Sequence, residues 1–219
     1  MVDQDLPISG LPPASILNGN ELIAVVQDGV TKFTTLTSTL YIPINSHGLF
    51  SQTGSSVPVS GSPSSVKTSG SLVDGGVGTL SVPANGFSKG DSFHASISGK
   101  LTIANNNTLE IRIKAGSVSL VDTGDIVMSG TTNKNWNIEL DFTIREIGPA
   151  GVASIITMGE FTYRKDASSE LIGEIFSFVN TSSFDTTIPN TLNIEAILDD
   201  ACIASENIYS EMLTLKKVY

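Results

Sequence analysis

Few side chains in this sequence have the type and spacing for chemistry. Glu139 and Asp141 stand two apart in NWNIELDFTIRE, so in a strand they share one face. Paired carboxylates are the acid and base of a glycosidase, which holds them about 5 to 9.5 Å apart across a cleft. The same two residues belong to the polar stripe Asn137, Glu139, Asp141, Thr143, Arg145, which reads as a solvent face. The two histidines, His47 and His94, show no metal-ligand spacing to a partner. DTGD (Asp122 to Asp125) and Asp199-Asp200 offer oxygen ligands, but neither follows the EF-hand loop pattern, and both read as turns. Cys202 is the single cysteine, and it reads as a small buried residue. Trp136 falls on the apolar side of its strand, which makes it core rather than a sugar platform. Asn106-Asn107-Thr108 and Asn180-Thr181-Ser182 match glycosylation acceptors, a pattern that arises easily by chance in a chain rich in Ser, Thr and Asn. No Gly-x-Ser-x-Gly, Walker-type or dinucleotide glycine motif is present. The catalytic, cofactor-binding and metal sets are therefore read as empty, the chain is expected not to be an enzyme, and no cofactor is expected.

The elements that carry these residues alternate with period two. In TLEIRIK, Leu109, Ile111 and Ile113 face one way, and Glu110, Arg112 and Lys114 the other. NWNIELDFTIRE sets Trp136, Ile138, Leu140, Phe142 and Ile144 against the polar stripe, and SFHASISGKLTI sets out Phe93, Ala95, Ile97, Leu101 and Ile103 with Gly99 as a candidate bulge. Alternation of this length marks half-buried antiparallel strands. GTLSVPA, GSVSLVD, ASIITMGEFTYRK, IGEIFSFVN, TLNIEAIL and EMLTLKKVY are further candidates, separated by turn signals such as NGFSKGD, DTGD and GPAG. ASSELIGEI is the nearest approach to a helix. Strands at this spacing indicate an all-β, antiparallel β-sandwich of jelly-roll-like form.

Composition narrows the partners. Charged residues make up only 16%, below the usual quarter, so neutral polar side chains must form much of the surface. The formal charge of -10 argues against nucleic acid, whose affinity comes mostly from cation–phosphate contacts, and against anionic membranes. MVDQDLPISG lacks a basic stretch followed by an apolar run, so no signal peptide is expected, and no apolar segment approaches the roughly 20 residues of a membrane span.

Three zones follow. Residues 1–45 read as an extended arm, in which Pro7, Pro12 and Pro13 fix the backbone, plus a hairpin. In ELIAVVQDGVTKFTTL two strand-like runs flank Asp28-Gly29, a strong signal for a two-residue turn. Residues 46–71, rich in Ser, Gly and Pro with Lys67 as their one charge, read as a flexible linker. Residues 72–219 read as the sandwich head.

The segment ISGLPPASILNGNELIAVVQDGVTKFTTLTSTL (Ile8 to Leu40) resembles an element near the N-terminus of phage tail-fibre and other virion-appendage proteins. The resemblance rests on Ile8, Leu11, Pro12, Gly19, Glu21, Leu22, Val25, Val26, Gln27 and Gly29. GTLSVPANGFSKGDSFHASISGKLTIANNNTLEIRIKAG and NWNIELDFTIREIGPAGVASIITMGEFTY resemble the β-rich heads of virion proteins of phages and large DNA viruses, which are often trimers of jelly-roll or tumour-necrosis-factor-like form. Together these resemblances imply a non-enzymatic virion protein, assembled in the host cytoplasm. It would be a short fibre, spike or decoration protein, and a homotrimer. Leu11, Pro12, Leu22, Val25, Val26, Gly29 and Phe33 would anchor it to capsid or tail proteins. Its head would meet a host-surface glycan or protein. The terminal strand EMLTLKKVY, with Leu213 and Leu215 on one side, is a candidate for the contact between copies. The alternatives are a capsid or baseplate component without receptor function, and a carbohydrate-active enzyme using Glu139 and Asp141.

Overall fold

A computed structural model describes residues 22–27, 30–35 and 49–219, apart from 63, 65 and 169. All the described elements are strands antiparallel to their neighbours, with no helix among them. The chain divides into two compact units, Met1–Asn45 and Ser46–Tyr219. In the first unit β1 (Leu22–Gln27) pairs with β2 (Val30–Thr35), and Gln27 pairs directly with Val30. Leu22, Val25, Val26 and Phe33 lie in these strands, while Leu11, Pro12 and Gly29 fall outside the described residues.

The second unit is the β-sandwich that the alternation requires. In its larger sheet β8 (Ser92–Ile103) lies between β12 (Thr131–Glu146) and β16 (Asn207–Lys217). Beyond β12 the sheet continues as a meander through β13 (Ser154–Arg164) to β14 (Leu171–Asn180). The smaller sheet centres on β9 (Thr108–Ala115) and β15 (Asn190–Leu198), with β10 (Val118–Asp122) along one side and β11 (Ile126–Val127) also paired to β9. The consecutive strands β8 and β9 thus pair, one in each sheet, with the consecutive strands β16 and β15. β8 is buried at every second residue along its length. Trp136, Ile138, Leu140, Phe142 and Ile144 of β12 and Leu109, Ile111 and Ile113 of β9 enter the same core cluster, which joins the two sheets.

Trp136 ties three strands together. It is 1% exposed, and its Nε1–H donates to Lys100 O at 3.0 Å and to Tyr209 O at 3.2 Å, so β12 grips β8 and β16 at one point. The residue opposite Trp136 is Gly99, and a Cβ there would lie 1.9 Å from Tyr209 O. The irregularity foreseen at Gly99 belongs to its partner strand. Gly99 faces Ser210 and Ser98 faces Met212, so Glu211 is the extra residue of a bulge in β16.

Two expectations are corrected here. Residues 46–71 are not a linker in their described part. β3 (Leu49–Gln52) and β4 (Val59–Ser60) pair with β16, and β5 (Thr68–Ser71) pairs with β15. β6 (Gly76–Thr79) and β7 (Ser81–Val82) then add to β3 and β15. Buried hydrogen bonds supply the order that apolar content does not. Ser210 Oγ donates to Leu72 O at 2.5 Å, Gln52 Nε2 donates to Ser210 Oγ at 2.8 Å, and Ser56 and Ser210 exchange bonds of 2.9 Å. The second correction concerns EMLTLKKVY. β16 is an interior strand, and Leu213 and Leu215 are buried within this chain, so neither is available to another copy. In ASSELIGEI, Ala167 and Ser168 lie in a turn and Leu171 opens β14.

Trp136→Phe keeps an aromatic ring but removes the N–H that two carbonyls share and part of the buried volume, and its expected cost is about 3 kcal/mol in urea unfolding. Ser210→Ala removes the donor to Leu72 O and one of the two bonds of Gln52 Nε2, and should cost about 2 kcal/mol, with faster proteolysis of residues 49–74 as the local readout. Unchanged midpoints would show that neither contact holds the sandwich closed.

Candidate functional site

The outer face of the larger sheet carries the ionisable side chains that the sequence singled out. Cross-strand register sets Asp141, His94 and Lys216 in one row and Glu139, Ser96 and Thr214 in the next. His94 lies between the two carboxylates, with Nδ1 3.0 Å from Asp141 Oδ1 and Nε2 3.0 Å from Glu139 Oε2. Glu139 also accepts from Ser96 Oγ at 2.8 Å and from Asn137 Nδ2 at 2.9 Å. The imidazole therefore stands between the two carboxylates, and Glu139 Oε1 is held by two neighbouring donors. Sequence reasoning placed both carboxylates on one face but missed His94 as their bridge. That bridge depends on the β8–β12 register, which one strand's pattern does not encode. His47 falls outside the described residues.

The smaller sheet holds a second charged group. Glu110 is 6% exposed, although it stands on the polar side of β9. Arg112 Nε lies 2.5 Å from Glu110 Oε1 but aims its hydrogen at Asp122 Oδ2, 3.0 Å away. Glu110 Oε1 is thus buried beside a positive charge without a hydrogen bond. Burial first, and then the neighbouring Asp122 carboxylate, push the Glu110 carboxyl above its ordinary range. Burial opposes ionisation of Asp122 too, but the Gly124 amide, the Glu110 carboxyl and the Arg112 charge together bring it below the usual range.

The remaining candidates serve the fold. Burial and the adjacent Asp199 push the Cys202 thiol up to about 12, so it carries almost no thiolate at neutral pH. Asp199 accepts from the backbone N–H of Thr108, Ala201 and Cys202, and Asp125 pairs with Lys67 at 3.1 Å. Among the described residues no group of three or more His, Cys, Asp or Glu is placed to hold a metal ion. Asn180 Oδ1 accepts from Ser182, Ser183 and Phe184 N–H while its Nδ2 donates to Ser119 O, which spends the amide of that sequon on a turn. An apolar cavity of about 50 Å³ lies among Phe87, Phe93, Phe142, Phe184 and Ile155, too small for a drug-sized ligand.

What sets this surface apart is apolar. Leu171, Ile175 and Val179 of β14 are 59%, 80% and 50% exposed, and Met158 on the neighbouring strand is 52% exposed. Phe178, on the other face of β14, is 38% exposed. The signal was visible in IGEIFSFVN, whose apolar residues occupy both parities instead of alternating. Comparison of the chain with protein-family models, with curated proteins and with solved structures gave no match.

Glu110→Gln tests the buried carboxyl. A carboxyl whose folded pKa is raised supports stability while protonated, and that support is lost as pH rises through the raised pKa. The variant should therefore be more stable than the parent at pH 7, by about 1 kcal/mol, with the gap closing on acidification. Equal urea midpoints at pH 7 would count against a raised pKa.

Proposed function

We propose that this chain is a non-enzymatic virion protein, a short fibre, spike or decoration protein whose residues 1–45 attach it to capsid or tail and whose head projects toward the host surface. The observation that carries the reading is the division into a small unit with a paired hairpin and a separate β-sandwich. A two-stranded hairpin is marginal in water, so β1 and β2 gain by adding to a sheet or apolar surface of another protein. Residues Ile8 to Leu40 resemble the attachment element of virion appendages, which points to a particle as that surface. The sandwich suits the outer role. His94, Arg112 and Lys114 are each paired with carboxylates on its outer faces, and it leaves an apolar flank for protein contact. Three copies per appendage is the number the resemblance implies, and many heads on one particle would turn weak single contacts with a glycan or protein into avidity.

The exposed apolar flank also favours a second reading, a capsid or baseplate component surrounded by neighbours. Removal of residues 1–45 separates the two. For an appendage, particles should assemble with normal integrity while occupancy by the shortened chain falls at least tenfold. Full occupancy without residues 1–45 overturns the anchoring role, and loss of particle integrity favours the shell component.

A further inference from the structure

The open edge of β14 is the least defended part of the sandwich. Among the described strands the backbone of β14 pairs only with β13, through ten consecutive partners from Ile155↔Asn180 to Arg164↔Leu171 without a break in register, and β10 touches its last residue alone by a side-chain bond, Asn180 Nδ2 to Ser119 O at 3.0 Å. Its other side is a sheet edge, with backbone donors and acceptors that no described strand pairs. The remaining sheet edges are short or interrupted. β6 and β5 are four residues each, and β10 is five residues with a register shift between Ser119 and Val121. Short edges, bulges, prolines and lysines are the usual devices that keep an edge from pairing with another chain. LIGEIFSFVN has none of them over its ten residues, and its one charge is Glu174.

We infer that β14 pairs antiparallel with β14 of a second copy across a two-fold axis, joining the two larger sheets into one. The strand is complementary to itself. With Ile175 on the axis, Leu171 meets Val179 of the partner subunit, Ile172 meets Phe178 of the partner subunit, and Glu174 meets Phe176 of the partner subunit. Apolar side chains then lie against each other on both faces, and the two Glu174 carboxylates are not directly opposed. Charge selects the same site. Copies of a chain with formal charge -10 repel one another over most of their surfaces, and β14 is a strip on which they meet with one carboxylate each. The size is adequate: nine residues, from Leu171 to Val179, pair with nine and span about 30 Å. Together with the exposed faces of Leu171, Ile175, Val179, Phe178 and Met158 this pairing buries on the order of 1,000 Å² in total, the lower end for a specific interface. The inference stands on the strand alone and does not need the virion reading. In a threefold appendage this contact would link one trimer to the next.

The full-length chain provides the test, with Ile175→Lys and Val179→Lys combined. Both residues are at least half exposed, so the sandwich should keep its circular dichroism and melting temperature. Light scattering should show the mass of the parent assembly halved in the variant. Ile175→Cys, under mild oxidation, should yield a covalent dimer on a non-reducing gel, because the native Cys202 is buried. Asn135→Cys, on the exposed end of β12, should not. A monomeric parent overturns the pairing. So does a mass untouched by the lysines together with no covalent dimer from Ile175→Cys. Either result leaves the attachment role of residues 1–45 to be decided by particle occupancy.

Discussion

The head is organised around the crossing of β12, β8 and β16, where one indole N–H serves two strands. Lys100 O and Tyr209 O both accept from Trp136, and only a residue without a side chain at Gly99 lets Tyr209 O come so close. A buried donor shared between two carbonyls fixes direction as well as distance, which dispersion among Ile and Leu does not. The bulge at Glu211 lies immediately beyond this point and sets Ser210 toward the interior. There Ser210 collects Gln52, Ser56 and Leu72, residues more than 130 positions away. The buried bonds of Gln52, Ser56 and Leu72 thus begin one residue from the Tyr209 carbonyl that the tryptophan holds.

Charge on the two outer faces is arranged as closed groups. His94 sits between two carboxylates, Arg112 serves Glu110 and Asp122, and Lys114 meets Glu195 at 2.7 Å. Exposed ion pairs contribute little to stability, so their effect is on the surface. They contrast with the flank along β14, whose one charge is Glu174. The chemistry this surface offers another molecule is backbone hydrogen bonding and apolar contact, on which protein association by strand addition depends.

The long strands were legible because burial repeats every second residue, and β8 and β12 follow that rule almost without exception. The polar stripe on β12 was read as solvent-facing, and Asp141 is indeed mostly exposed. The class of fold followed from the same pattern. Residues 49–71 were misread because Ser, Gly and Pro also describe short strands whose stability comes from hydrogen bonds to distant partners. Nothing within SVPVSGSPSSVKTSGSL announces Glu206, Ser210 or Ile194. The buried position of Leu213 and Leu215 was missed for a related reason. Alternation reports that a face is covered, but not whether the cover is the same chain. Glu110 breaks the rule in the other direction, a residue on the polar parity that neighbouring strands enclose.

Sheet order and chain order differ, and synthesis feels the difference. β16 lies between β8 and β3 although more than 100 residues separate it from β8. During translation β3 and β4 leave the ribosome early, and although β6 soon offers β3 one partner, the strand that joins both to the larger sheet, β16, comes much later. Throughout that interval β8 has one open side, and the serines and glutamine of residues 52–56 are held in solution by water. Strands of this sort, with mostly neutral polar side chains, stay soluble while they wait, whereas a more apolar segment would seek any exposed edge. The composition that looked like a tether is also what allows a nascent chain to hold a place open for its last described strand.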